Sequence, residues 1–250
     1  MSTDTEQPLI AHLLELRTRL LRAIVGVLVC LVLLMPIANK LYGWLALPVL
    51  KMLPVGGQMI ATDPISPFLT PLKLALMSAL VMAAPWVLYQ LWAFVAPGLY
   101  HKEKRLAVPL LVSATALFYI GCAFAYFLVL PAVFKFTNAV APEGVAVMTD
   151  IGKYLDFVIV TFIAFGVAFE VPVAVVILVA LGWVSIAQLR EARSYVIVGA
   201  FVVAAVMTPP DAVSMLMMAI PMCLLYEIGI IAAAWIRTGK ADASDANSPT

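Results

Sequence analysis

The sequence predicts an all-α polytopic membrane protein with six transmembrane helices, and three observations carry that reading. Of 250 residues, 64% are hydrophobic, and the mean hydropathy is +1.07. Charged residues make up 12%, against roughly 25% in a soluble domain. The apolar residues come in long runs instead of being scattered. A disordered chain needs low hydrophobicity and high charge, so that class is excluded. An ordinary soluble globule could not hide this much apolar side chain. The net charge of +1 gives no basic field that would point to nucleic acid.

The runs fall at about 22–44, 73–96, 108–130, 155–181, 195–208 and 212–236. A span needs about 20 residues, and the first four meet this. The fifth has no charge from Tyr195 to Met207 but is stopped by Thr208-Pro209-Pro210-Asp211. The last two are therefore expected to be short helices joined by a tight turn. Residues 1–237 form a single membrane domain in this reading, and 238–250, small and polar, form a disordered cytoplasmic tail.

Orientation follows from lysine and arginine. With six spans, the side of the termini receives Arg17, Arg19, Arg22, Lys102, Lys104, Arg105, Arg190, Arg193, Arg237 and Lys240. The other side receives only Lys40, Lys51, Lys73, Lys135 and Lys153. Both termini are expected in the cytoplasm. Residues 1–9 lack the layout of a cleaved signal and read as a mature start. The outer loops, 45–72 and 131–154, are long, and the first is rich in proline. Within it, Ser66-Pro67 has the form of a helix start.

Cys30, Cys122 and Cys223 each sit in an apolar run with no CxxC or Cys/His spacing. They suggest packing, with no metal site or disulfide framework.

Four places carry polar residues that topology alone does not explain. Pro8 to Leu21 reads as an amphipathic helix, with His12, Glu15, Arg19 and Arg22 on one stripe and Leu9, Leu13, Leu16 and Leu20 on another. Glu15 and Arg19 either form a simple i,i+4 pair or hold a carboxylate at the interface for a cationic partner. Glu103 is one acid among Lys102, Lys104 and Arg105; topology explains the bases but not the acid, which near the start of span three complements the helix dipole. Glu170, in Phe169-Glu170-Val171-Pro172, lies near the middle of span four. An ionised acid there costs about 2.5–3.5 kcal/mol, so it is either protonated or faces a polar cavity. Pro172 loosens the helix beside it. Asp211 suits the N-cap of span six.

These stretches resemble a known family. His12-Leu13-Leu14-Glu15-Leu16-Arg17-Thr18-Arg19-Leu20 is similar to the N-terminal motif of TatC, the core subunit of the twin-arginine protein translocase. So is Tyr89-Gln90-Leu91-Trp92-Ala93-Phe94-Val95-Ala96-Pro97-Gly98-Leu99-Tyr100 with the following Glu103. Phe127 to Pro131, Phe169-Glu170-Val171-Pro172, Thr208-Pro209-Pro210-Asp211, Pro221 and Tyr226-Glu227 extend the likeness in order along nearly the whole chain.

The resemblance implies six helices in a concave, cupped bundle in the bacterial inner membrane. It implies a receptor for twin-arginine signal peptides of folded cargo, driven by the proton-motive force, with TatA- and TatB-like partners and self-association. Glu15 and Glu103 match the positions that receive the arginines, and Arg17, Arg19 and Phe94 match others in that region. Pro48 and Phe68 match functional positions of the first outer loop, and Asp211 joins them at the last. Glu170 matches an intramembrane acid. Thr208, Ser214 and Met215 fall where partners dock, although Met215 replaces a common glutamine. No catalysis, cofactor or metal is expected, since the chain carries no nucleotide loop or nucleophile–base pair. Two other classes stand beside this reading. One is a proton-coupled secondary transporter with Glu170 as its ion site, and the other is a structural membrane scaffold.

Overall fold

The computed structural model describes residues 6–50, 59–95, 107–140, 149–207 and 212–245. The described residues are almost wholly helical. Helix α1 (Glu6–Leu34) passes through a 3-10 turn, Met35–Ile37, into α2 (Ala38–Leu50). Pro36 sits in that turn, where its missing N–H and fixed φ interrupt α-helical bonding. Helix α3 (Ser66–Val95) starts at Ser66-Pro67, as expected. Helix α4 (Ala107–Phe124) leads through a π-helical segment, Ala125–Val129, into α5 (Leu130–Val140). Pro131 explains that widening, because it offers no N–H to the carbonyl four residues back and its ring crowds the turn.

Helix α6 (Ile151–Ala180) ends in a Schellman motif. Gly182 takes φ +71°, and the Trp183 and Gly182 N–H groups donate to Leu178 and Val179 carbonyls at 3.1 and 3.0 Å. Ser185 then caps α7 (Ile186–Glu191) in a reciprocal box with Gln188. Helices α8 (Arg193–Met207) and α9 (Ala212–Asp245) follow. Helix α9 runs to Asp245, into the stretch 238–250 expected to lack order. Alanines at 241 and 243 favour helix and let it continue.

Among the described residues, five helical stretches are long and apolar enough to cross a membrane: His12–Leu47, Ser66–Phe94, Val108–Thr137, Ile151–Ala180 and Met215–Trp235. Helix α8 is apolar but has only 15 residues. The first stretch, at 36 residues, spans about 54 Å at 1.5 Å per residue. That exceeds the ~30 Å hydrocarbon core, so its ends reach the interfaces. Large apolar side chains such as Val32, Val112, Val167 and Val206 lie exposed on the helices, the arrangement suited to a lipid solvent.

The chain divides into two compact units. One gathers α1, α2, α3, the start of α4, α5 and α6 as far as Ile159. Here α1 lies along α3 through close backbone approach. A Cβ on Gly26 would stand 2.4 Å from Trp86 Cδ1, so glycine leaves the room that the indole takes there. Trp86 Nε1 donates to the Arg22 carbonyl at 2.9 Å. Ala75, Ala79 and Ala83 form a buried small-residue row on α3. The buried Tyr154 hydroxyl donates to the Leu45 carbonyl at 2.7 Å, and Lys73 pairs with Asp156 at 2.7 Å.

The second unit holds the end of α4, the π segment, α6 from Val160, and α7 to α9. A Cβ on Gly121 would stand 2.6 Å from the Phe165 carbonyl oxygen, again a close helix approach. Phe124 packs on Phe165 and Phe169. Tyr226 donates its hydroxyl to the Leu189 carbonyl at 2.8 Å, and Arg193 pairs with Glu227 at 2.7 Å.

Candidate functional site

The first turns of α1 lie beside the last turns of α3. His12 stacks on Phe94 with ring centroids 4.3 Å apart, while Gly26 meets Trp86 two turns of α3 earlier. The two contacts define an antiparallel pair. They also place His12 and Phe94 at the ends of their apolar stretches, which is the depth of a membrane–water interface.

Between these contacts the helices part to leave a groove of about 140 Å³, lined by Leu16, Leu20, Val87, Leu91 and Phe94 with Arg19 and Gln90. Such a space is below the ~300 Å³ of a small-molecule pocket and suits a single side chain. Arg19 Nη2 donates to Glu15 Oε1 at 3.3 Å. The pair is about a quarter to a third exposed, 24% and 37%, and an exposed i,i+4 pair is worth only about 0.3–0.5 kcal/mol. Glu15 is thus held in place without being strongly committed.

Gln90 is only 3% exposed, and its Oε1 is buried with no hydrogen-bond partner among the described residues. Leaving such an acceptor unsatisfied costs about 1–3 kcal/mol. The sequence reading passed over Gln90 inside a motif noted for its aromatics. Its signal was a neutral amide among Val87, Leu88, Leu91 and Trp92.

Of the expected recognition residues, the structure brings Arg19 and Phe94 to one groove, with Glu15 paired to Arg19. Arg17 is exposed on α1. Glu103, Thr208 and Asp211 lie outside the described residues. Pro48 and Ser214 lie within α2 and α9, and Met215 is half-buried on α9. Phe68 is 74% exposed on the first turn of α3.

Two further polar features stand apart. On α6, Glu170 Oε1 is buried without a hydrogen-bond partner among the described residues, two residues before Pro172. At the start of the same helix, Asp150 is fully engaged. Its Oδ2 accepts from the Thr62 N–H and hydroxyl at 2.8 and 2.7 Å, and its Oδ1 from Gly152 and Lys153 N–H groups at 2.9 Å. Ile60 N–H donates to the Thr149 carbonyl and Ile151 N–H to the Ile60 carbonyl at 3.0 and 2.9 Å. The Thr62 hydroxyl first, then the backbone N–H groups of Lys153, Thr62 and Gly152, hold the Asp150 carboxyl well below the usual carboxylate range. This clasp ties the residues before α3 to the start of α6. Sequence reasoning missed it because its partners are 88 residues apart.

Residues 11–221 match the family described as Sec-independent protein translocase protein (TatC). The chain is 55% identical over 230 residues to the Sec-independent protein translocase protein TatC of Escherichia coli K12, covering 92% of this chain and 89% of that one. It is 54% identical over 235 residues to its counterpart in Azotobacter chroococcum, covering 94% and 92%. A crystal structure of the twin arginine translocase receptor TatC superposes with a TM-score of 0.81 at 36% identity, covering 90% of this chain and 98% of that one. The chain belongs to the TatC family. It is a multi-pass membrane protein of protein transport, a translocase component.

Proposed function

We propose that this TatC-family chain is the receptor that binds twin-arginine signal peptides at the cytoplasmic face of the bacterial inner membrane. The observation that supports the reading best is Glu15, a weakly committed carboxylate paired with Arg19, which itself lines the α1/α3 groove together with Phe94. A peptide guanidinium bonds a carboxylate through two parallel N–H groups, which an ammonium cannot do. It therefore displaces Arg19 from its long single contact at little cost. Glu15 and Glu103 divide the two arginines between them, with Arg17 adding to the recognition surface.

In this reading α8 is a short fifth span, six spans cross in all, and both termini are cytoplasmic. TatA- and TatB-like single-span partners dock near Thr208, Ser214 and Met215, and Pro48, Phe68 and Asp211 serve from the outer loops. The proton-motive force drives export, and copies of the chain associate. A permease with Glu170 as ion site would need several polar partners for that carboxyl, and its Oε1 has none among the described residues. Glu170 instead helps polar groups enter the membrane-embedded surface.

The test is photo-crosslinking of an Arg-Arg signal peptide to the full chain in membranes. Glu15→Ala and Glu103→Ala are each expected to weaken labelling, and the double variant nearly to abolish it. Undiminished labelling of the double variant refutes the assignment. A photo-crosslinker at Thr208 is expected to capture a single-span partner, and labelling of lipid alone counts against that contact.

A further inference from the structure

We infer that Gln90 is a direct specificity residue of this receptor, its side-chain carbonyl oxygen accepting an N–H from an arginine of the bound peptide. The inference rests on the signal-peptide reading above and names a contact that reading does not contain.

Gln90 lines a groove of one-side-chain size between α1 and α3, and its Oε1 has no hydrogen-bond partner among the described residues. Buried acceptors are almost always paired. One left unpaired, on a residue that lines a groove, fits a donor that arrives with a ligand. The neighbouring groups say which donor. Leu20, Val87, Leu91 and Phe94 supply an apolar wall for a methylene stem. Glu15 supplies a negative charge one helical turn from Arg19. An arginine matches all three features, because its stem is apolar and its guanidinium carries five N–H donors in a plane. One edge meets the carboxylate while another N–H reaches the amide oxygen. A lysine ammonium is a compact point charge and cannot reach both in the same fork geometry.

Neutrality also favours glutamine here. A second carboxylate at this depth would need a counter-charge in the empty state. An amide waits uncharged and still rewards the correct ligand. Discrimination by a buried polar group of this kind works through the penalty of leaving it unpaired with the wrong ligand.

The experiment is a thermodynamic cycle on the full chain in membranes. It compares wild type and Gln90→Leu, each binding an Arg-Arg and a Lys-Lys peptide, with affinity expressed per folded molecule. Gln90→Leu is expected to weaken Arg-Arg binding about tenfold and to change Lys-Lys binding much less, so that most of the arginine preference disappears. Its unfolding midpoint is expected to equal or exceed that of wild type, since an apolar group of similar shape replaces an unsatisfied one. Equal losses for both peptides, or unchanged Arg-Arg binding, overturn the inference. A lowered midpoint with unchanged affinity assigns Gln90 to packing and also overturns it. Glu15→Ala runs in parallel. If it loses Arg-Arg binding while Gln90→Leu keeps it, only the role of Gln90 falls. If wild type shows no arginine preference, the receptor reading falls and this inference falls with it.

Discussion

The two ends of α3 treat polar side chains in opposite ways. Near its start, Asp150 accepts four hydrogen bonds and leaves no oxygen idle. Near its end, and among the described residues, Gln90 Oε1 is buried with no partner and Glu15 makes a long contact to Arg19. A satisfied carboxylate that joins segments far apart in sequence fixes a scaffold. An unpaired buried acceptor beside a groove adds nothing to the fold and lowers its stability. The contrast separates the part of this unit that holds shape from the part kept available for a ligand.

The sharpest way to break that separation is to close the groove itself. Gly26→Val places a branched side chain where Trp86 lies against α1. Overpacking of this kind costs about 1–3 kcal/mol. Thermal unfolding is expected to show the loss, and peptide binding to fall with it, because Arg19 and Gln90 sit on the same two helices. Full binding by a destabilised Gly26→Val protein would mean that the groove is not the site.

Glu170→Leu carries the comparison to the second unit, where another buried oxygen lacks a partner. The variant is expected to insert and fold normally while export of a folded cargo drops several-fold, the loss of a polar group that is costly to keep in a membrane. Export at the wild-type rate would reduce Glu170 to a packing residue.

Asp150→Asn tests the satisfied end. The amide retains one acceptor oxygen but turns an N–H2 toward donors, so Thr62 or the α6 cap loses its partner. Amide exchange at Ile60 and Thr62 is expected to quicken, while Arg-Arg peptide binding stays within about twofold. A large loss of binding would show that the two ends of α3 are coupled.

The smallest effect is a pH dependence. The folded carboxyl titrates below the ~3.9 of an unfolded aspartate. Its contribution is therefore complete above that value and is lost only as pH falls through the lower folded value. Exchange protection at Thr62 is expected to persist unchanged from neutral pH to about 4. Loss of protection already near pH 5 would contradict the clasp.

Much of this was legible in the sequence, and the physics says why. Membrane spans are written in composition, so the apolar runs located the long helices, and Ser66-Pro67 marked the start of α3. The widening before Pro131 was not, because the proline acts on the turn that precedes it. Glu15, Arg19 and Phe94 were chosen one at a time, from periodicity and resemblance. That Arg19 and Phe94 share a groove with Gln90 depends on the antiparallel pairing of α1 with α3, a tertiary fact set by Gly26 and Trp86. The Asp150 clasp is further still from the sequence, since each partner alone looks like an ordinary loop residue.

The most direct measurement places a photo-crosslinker at Leu91, on the groove wall, in the full chain in membranes and offers it matched Arg-Arg and Lys-Lys signal peptides. The account predicts strong labelling of the first and weak labelling of the second. Equal labelling of both would contradict it.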